Sequence, residues 1–402
     1  MKTVFRSIHL YLSLAAGIII FCSCLTGTML VFEDETEHAL HHERYFAEPQ
    51  KQRLPTEQLI FSAIKTVSKA KLGSVKVYVD AERTVEVGLI VPEKGKSEEQ
   101  RKSQEHRPKN TEAKEKKQEG ARPNLTVFVN PYTGQVTGQL NRRQSFFFTV
   151  EMLHRFLLAG KDSVGNKIVA FSTLFFLFIL ITGVVLWWPK NKKIMRQRLR
   201  YKWDGSRKRL VHDLHIVTGF YTSAFLLVIV FTGLIMTFSW ANKLLYAIAG
   251  SKPVSEQPKP PTSVFQAGIK PLPIGEILAL QEELDKSASY TIRPPRDSAG
   301  TYTLNVLQKG AAVETANDTY FIDQYSGKVI GTQKFADKSA GQRARAFVKP
   351  IHTGSIYGLK TKIISFIVCL LSLVFPVTGV LMWLNRIKKK TGKRSTGQVV
   401  VN

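Results

Sequence analysis

Four histidines stand at the edges of four apolar segments, in two sets of matched spacing. His9 lies eighteen positions before the glycine of Thr26-Gly27, and His215 lies eighteen before that of Thr232-Gly233. His154 and His352 each have a glycine six residues on, Gly160 and Gly358, and each precedes an apolar run containing Thr-Gly-Val, at Thr182 to Val184 and Thr378 to Val380. A repeat that carries histidines with it points to paired ligands. Neutral imidazole binds iron axially while its other ring nitrogen finds an orienting acceptor. Two such ligands leave no open axial position, so the site transfers electrons rather than activating oxygen. Haem iron is what helix-borne histidine pairs in a membrane most often hold.

The elements that must carry these histidines are the apolar runs themselves. Leu10 to Phe32, Ile168 to Trp188, Ile216 to Trp240 and Ile363 to Leu384 are almost free of charge. Each has about 20 residues or more, enough to cross a hydrocarbon core of roughly 30 Å. The first is too long for the apolar part of a signal peptide and is followed by Glu33, Asp34 and Glu35 rather than a small-residue cleavage site, so the N-terminal run is expected to stay attached. Trp187, Trp188, Trp240 and Trp383 fall at span ends, as interfacial anchors do.

Net charge is +26, from 57 Lys and Arg against 31 Asp and Glu. The excess lies in the connection between spans two and three, from Lys190 to Arg209, and in the tail from Arg386 to Arg394. That is a topology signal and a contact for anionic lipid rather than a nucleic-acid surface. The N-terminus, the middle connection and the C-terminus are therefore expected in the cytoplasm, with the two long loops outside. This topology restricts which histidines can share a metal. His9 and His215 both begin spans on the inner side, whereas His154 and His352 both precede spans on the outer side. The pairs are thus expected to run across the repeat, with Gly17, Gly27, Gly219 and Gly233 permitting close approach of helices or of a flat macrocycle.

His212 lies three residues before His215 on the same helical face, so either one is a candidate for the inner ligand, and His212 is alternatively a contact for a haem propionate. Arg155, Arg345, Lys349 and Tyr357 lie near the outer pair, either as propionate or anionic-chelate contacts or as side chains reaching the headgroups. After span one, Asp34, His38 and His42 share one face if the helix continues, with His41 alongside; this is either a divalent-metal face or a solvated polar one. Cys22, Cys24 and Cys369 fall inside apolar runs and read as packing residues. No P-loop, Gly-rich dinucleotide fingerprint or Gly-x-Ser-x-Gly elbow is present, so the electrons must come from elsewhere.

The loops between spans carry two small α+β units. In the first, Thr56 to Lys71 reads as a helix, followed by strands around Val75 to Val79, Val85 to Leu89 and Leu125 to Val129, then the turn Asn130-Pro131-Tyr132-Thr133-Gly134. The second repeats the plan with a helix Ile274 to Leu284, strands near Tyr290 to Arg293, Tyr302 to Leu307 and Thr319 to Ile322, and the turn Asp323-Gln324-Tyr325-Ser326-Gly327. Residues 92–123, rich in Lys, Glu, Gln and Ser, are expected to be a disordered insertion, with His106 solvated inside it. The resulting plan is span one at 1–32, a first external domain at 33–150, an outer histidine segment with span two at 151–188 and a basic connection at 189–211. Span three follows at 212–240, a second external domain at 241–345, an outer histidine segment with span four at 346–385, and a basic tail at 386–402.

The Tyr-Thr-Gly and Tyr-Ser-Gly turns resemble those of PepSY domains. The stretches IHLYLSLAAG, LHRFLLAG, DLHIVTGFY and IHTGSIYG resemble the PepSY-associated transmembrane family, whose members include FoxB-type inner-membrane ferric-siderophore reductases. The resemblance covers most of the chain apart from the insertion and the extreme C-terminus. It implies a membrane protein with an α-helical four-span bundle, two periplasmic α+β PepSY-like domains and an internal duplication. It also implies two b-type haems and reduction of ferric iron held by siderophores, with His9, His215, His154 and His352 as the candidate axial ligands. The implied partners are a ferric siderophore, a quinol or cytoplasmic reductase as electron donor, and membrane lipids; a homodimer is not forbidden. Two other readings stay open: a cytochrome b-type subunit serving a separate flavoprotein or quinone pool, and a haem-free PepSY binding or regulatory protein.

Overall fold

The apolar runs extend into helices longer than their uncharged stretches. The computed structural model of the chain describes residues 2–92, 123–252, 260–265, 268–281 and 284–396. Among these, four helices are long and apolar enough to cross a membrane: span 1 (Lys2–Leu30), span 2 (Val164–Trp187), span 3 (Arg207–Thr237) and span 4 (Leu359–Ile387). Two of them start at serine caps, where the Ser163 hydroxyl accepts from Asn166 N–H and the Ser206 hydroxyl from Arg209 N–H. Span 4 differs from the others. It is interrupted at Leu373, between helices Leu359–Ser372 and Val374–Thr396. Pro376 follows in the first turn of the second piece, where a missing N–H is tolerated.

The chain divides into two units, the first being Met1–Glu33, Phe146–Pro253 and Ala340–Asn402. Within it, span 1 packs against span 2, span 4 and a short helix, Phe146–Phe156. Span 3 packs against span 2, span 4 and the helix Ala340–Thr353. Leu180, Leu226, Val230, Leu234 and Val368 fill the space where spans 2, 3 and 4 meet. Each short helix ends just before a span, and the chain turns between the two. Gly160 (φ 88°) and Gly358 (φ 65°) lie in those turns in a conformation that favours glycine, which accounts for the glycine six residues after each histidine.

The second unit comprises Asp34–Ser145 and Val254–Ser339. Its strands are β1 (Lys71–Tyr78), β2 (Val85–Ile90), β3 (Leu125–Val129), β4 (Val136–Leu140), β5 (Ser287–Arg293), β6 (Thr301–Gln308), β7 (Asn317–Asp323) and β8 (Val329–Gln333). They form one antiparallel sheet in the order β4-β3-β2-β1-β5-β6-β7-β8. The two groups of strands read from sequence are thus joined edge to edge, through pairs such as Val75 with Ile292 and Val77 with Tyr290. Both central edges are protected by this pairing.

Alternate residues of the strands enter a shared core, including Val75, Val87, Leu89, Ile292, Leu304 and Ile322. It is closed by Leu59 and Ala63 from the helix Thr56–Lys65 and by Ile277 from the helix Ile274–Ala279. Both helices are shorter than their sequence pattern suggests. The first stops at Lys65, and Lys71 is recruited into β1 opposite Ile90. The turns match in detail: Gly134 N–H bonds to Asn130 O and Gly327 N–H to Asp323 O, both at 3.0 Å. The Tyr132 hydroxyl reaches Ala81 O at 2.8 Å, and the Tyr325 hydroxyl reaches Ser298 O at 2.9 Å. The expected insertion at 92–123, His106 included, lies outside the described residues apart from its two ends.

Candidate functional site

Each of the four histidines is carried by one helix and fixed by another. His9, on span 1, places Nδ1 3.0 Å from both Ile179 O and Thr182 Oγ1 of span 2. His154, on the helix before span 2, makes the reciprocal contacts to span 1, at 3.0 Å to Ser23 O and 3.0 Å to Thr26 Oγ1. His352 reaches span 3 at 3.0 Å to Ile229 O and 3.1 Å to Thr232 Oγ1. His215, on span 3, reaches Thr378 Oγ1 of span 4 at 2.8 Å.

The acceptors decide the tautomer. A carbonyl can only accept, so His9, His154 and His352 carry their proton on Nδ1. Each threonine also spends its hydroxyl hydrogen on its own helix: Thr26 donates to Cys22 O at 2.7 Å, Thr182 to Phe178 O at 2.7 Å, Thr232 to Val228 O at 2.8 Å and Thr378 to Val374 O at 2.7 Å. Each hydroxyl is left to accept from the ring, which assigns the Nδ1 proton of His215 as well. The lone pair therefore lies on Nε2 in all four rings. No Nε2 is engaged in a hydrogen bond among the described residues.

The residue after each threonine is glycine, for a second steric reason. A Cβ at Gly183 would stand 3.3 Å from His9 Cε1, one at Gly27 3.4 Å from His154 Cε1, one at Gly233 3.3 Å from His352 Cε1, and one at Gly379 3.7 Å from His215 Cε1. Thr-Gly is a two-residue seat for an imidazole edge: the hydroxyl takes Nδ1–H, and at Gly183, Gly233 and Gly27 the missing side chain leaves room for Cε1, while at Gly379 a Cβ would make only ordinary contact. All four threonines are buried. Sequence reasoning used the Thr-Gly pairs as spacing markers without seeing that each seats a histidine from another helix. Their recurrence in all four runs was the available signal. Of the other glycines expected to allow close approach, Gly17 has nothing within 4 Å of a built Cβ and Gly219 only Phe375 Cε1 at 3.8 Å.

The histidines meet in the two cross-repeat pairs. The His9 and His215 rings have centroids 6.3 Å apart with planes at 80°, and those of His154 and His352 lie 6.4 Å apart at 62°. Two imidazoles bonding one metal ion from opposite sides, with bonds of about 2.0 Å and ring centres about 1.1 Å beyond each nitrogen, have centroids roughly 6.2 Å apart. Among the described residues no group of three or more His, Cys, Asp and Glu could hold a metal ion. Each pair thus offers two ligands and no third. A two-imidazole set fits a metal whose remaining positions are filled by a macrocycle.

His212 is not the ring opposite His9. Its Nδ1 lies 3.4 Å from Asp213 Oδ1, and half of its side chain is exposed. Asp213 is fully buried, accepting also from Arg209 Nε at 2.8 Å and from Lys202 N–H at 3.2 Å, and so ties the basic connection to the start of span 3. Arg155 pairs with Glu151 at 2.7 Å. The face of Asp34, His38 and His42 does not form as one helix, because Glu33–Leu40 ends and His42–Tyr45 begins a separate turn. His38 packs on Tyr45 at 4.5 Å, and His42 stacks on Phe46 at 4.6 Å. Cys22, Cys24 and Cys369 are free thiols within spans 1 and 4.

Four apolar helices laced together by histidines seated on Thr-Gly pairs define a helical membrane protein with two internal histidine pairs. The chain belongs to the family described as the PepSY-associated TM region, which matches residues 6–386. A comparison with curated proteins finds no match.

Proposed function

We propose that this protein is a dihaem b-type inner-membrane reductase that passes electrons across the bilayer to ferric iron in periplasmic siderophore chelates. The observation that carries the reading is the pair of matched ring separations, 6.3 and 6.4 Å, each with two imidazoles of assigned tautomer and, among the described residues, no third His, Cys, Asp or Glu beside them. Bound haem supplies a reversible one-electron iron couple. The chain's own part is to hold four Nε2 lone pairs in place, with every Nδ1 proton fixed by a threonine. Seventeen residues separate His9 from Thr26, and the same number separate His215 from Thr232. At the helical rise this is about 25 Å, so the two pairs lie near opposite faces of a core of roughly 30 Å.

The excess of Lys and Arg in the connection at 189–211 supports a cytoplasmic position for the His9–His215 pair, where a quinol or a cytoplasmic reductase would deliver electrons. The His154–His352 pair then lies on the periplasmic side, next to the ferric chelate. Ferrous iron is the more weakly held state, so reduction releases it for uptake. The symmetric arrangement of the sheet unit supports an internal duplication, with two PepSY-like halves facing the periplasm.

The test uses purified full-length protein in detergent. Dithionite-reduced protein should show a b-type absorption spectrum, and adding a ferric hydroxamate or catecholate chelate should return it to the oxidised form. Reduced protein whose spectrum is unchanged by ferric chelates contradicts the reductase assignment. Protein without reversible b-type absorption contradicts the haem assignment.

A further inference from the structure

The four seats are not equal. His9, His154 and His352 each have two acceptors for Nδ1–H, a threonine hydroxyl and the carbonyl three residues before that threonine. Among the described residues, His215 has the Thr378 hydroxyl alone. The carbonyl that should match is that of Phe375, and its displacement can be followed within span 4. The distance from threonine hydroxyl to this carbonyl is 3.1 Å at Ser23, 3.0 Å at Ile179 and 2.8 Å at Ile229, but 3.3 Å at Phe375. The glycine contact is looser too, at 3.7 Å against 3.3–3.4 Å for the other three. The cause lies in the neighbouring sequence. Spans 1, 2 and 3 run unbroken through their Thr-Gly pairs, whereas span 4 is broken at Leu373 and restarts with Pro376 in its first turn. A ladder interrupted there need not aim the Phe375 carbonyl as a continuous helix would.

An acceptor on Nδ1–H raises the basicity of the ligating nitrogen and favours the ferric state, and fewer acceptors favour the ferrous state. We propose that Thr378 is the positioning residue on which the His215 ligand depends alone, and that the haem held by His9 and His215 consequently has the more positive midpoint potential of the two. The inference rests on the dihaem reading. Electrons entering at the His9–His215 pair would then have to climb to reach the His154–His352 pair, so a ferric acceptor that removes them is part of what drives transfer.

The test is a potentiometric titration of full-length protein carrying one substitution at a time. Thr26→Val, Thr182→Val and Thr232→Val each leave a carbonyl acceptor and should shift neither midpoint strongly. Thr378→Val leaves none, and should shift one midpoint or release one haem, with Thr378→Ser restoring the original behaviour. Four equal responses, or no response at Thr378, overturn the proposal. Should Thr378→Val fail to fold, the wild-type titration decides. Two waves are expected, and the more positive is the one that disappears in His9→Ala; loss of the more negative wave, or a single unresolved wave, overturns it. Wild-type protein with no haem refutes the dihaem reading instead, so the two failures are distinguishable.

Discussion

His154 Nδ1 donates to Thr26 Oγ1 across 3.0 Å, although 128 residues separate the two in the chain. The contact ties the helix before span 2 to span 1 and leaves Nε2 as the free nitrogen. Span 1 returns the arrangement, since its own His9 is seated on Thr182. Each half of the helical unit is thus closed by its own histidines, and the two halves meet where the rings of His9 and His215, and of His154 and His352, come together.

On the dihaem reading, replacing His215 by Ala should remove one haem of two, because it takes away one of the two imidazoles of that pair. His212→Ala should retain both, since its ring is bonded to Asp213 rather than placed opposite His9. Haem absorbance per protein, compared between the two variants, checks the assignment; haem loss on His212→Ala with retention on His215→Ala would reverse it.

Gly27→Val should cost the second pair its haem. A Cβ there would already meet His154 Cε1 at 3.4 Å and Nδ1 at 3.8 Å, and valine adds two methyl carbons beyond it. Gly17→Val is the matched control, having nothing within 4 Å of its built Cβ. Visible spectra of the two variants should differ by about one haem per chain.

The junction of the sheet is open to a stability test. Ile292 is fully buried and pairs with Val75 across β1 and β5. Ile292→Ala should destabilise the sheet unit by about 2–5 kcal/mol, the usual cost of such a core truncation. Chemical denaturation followed by near-ultraviolet circular dichroism measures it, with haem content as a control that should stay unchanged.

Asp323 gives the sheet unit a pH dependence. Burial acts to raise its carboxyl pKa, but hydrogen bonds from Ser326, led by its hydroxyl, hold it below the usual carboxylate value. A depressed folded pKa contributes stability that is fully present above the unfolded value, about 3.9, and is lost as pH falls through the folded value. Wild type should therefore exceed Asp323→Asn in denaturation midpoint at neutral pH, with the gap closing below about pH 4.

Much of this is legible in the sequence. Uncharged runs of sufficient length announce the four spans. Once His9 and His215 are placed at equivalent span starts, pairing across the repeat follows by topology, and the structure brings those rings together. The seats were not legible as seats. Thr182 and His9 lie on different helices, and no periodicity within either one says which residue of the other it meets. The β1–β5 junction was hidden for a similar reason: alternation in Val75–Val79 shows which face is buried, but not which strand takes the free edge. The helix ends were misjudged where an apolar pattern continues beyond the last helical turn, as at Val67 and Ala70, which pack against the sheet core beyond the end of the helix Thr56–Lys65.

The account turns on whether two imidazole pairs hold two haems. A pyridine haemochrome assay on purified full-length protein, normalised by amino-acid analysis, measures this directly. Two haems b per chain, falling to one in His9→Ala and to one in His352→Ala, is the result expected. A stoichiometry of zero in the wild type, or one unaffected by either substitution, contradicts it.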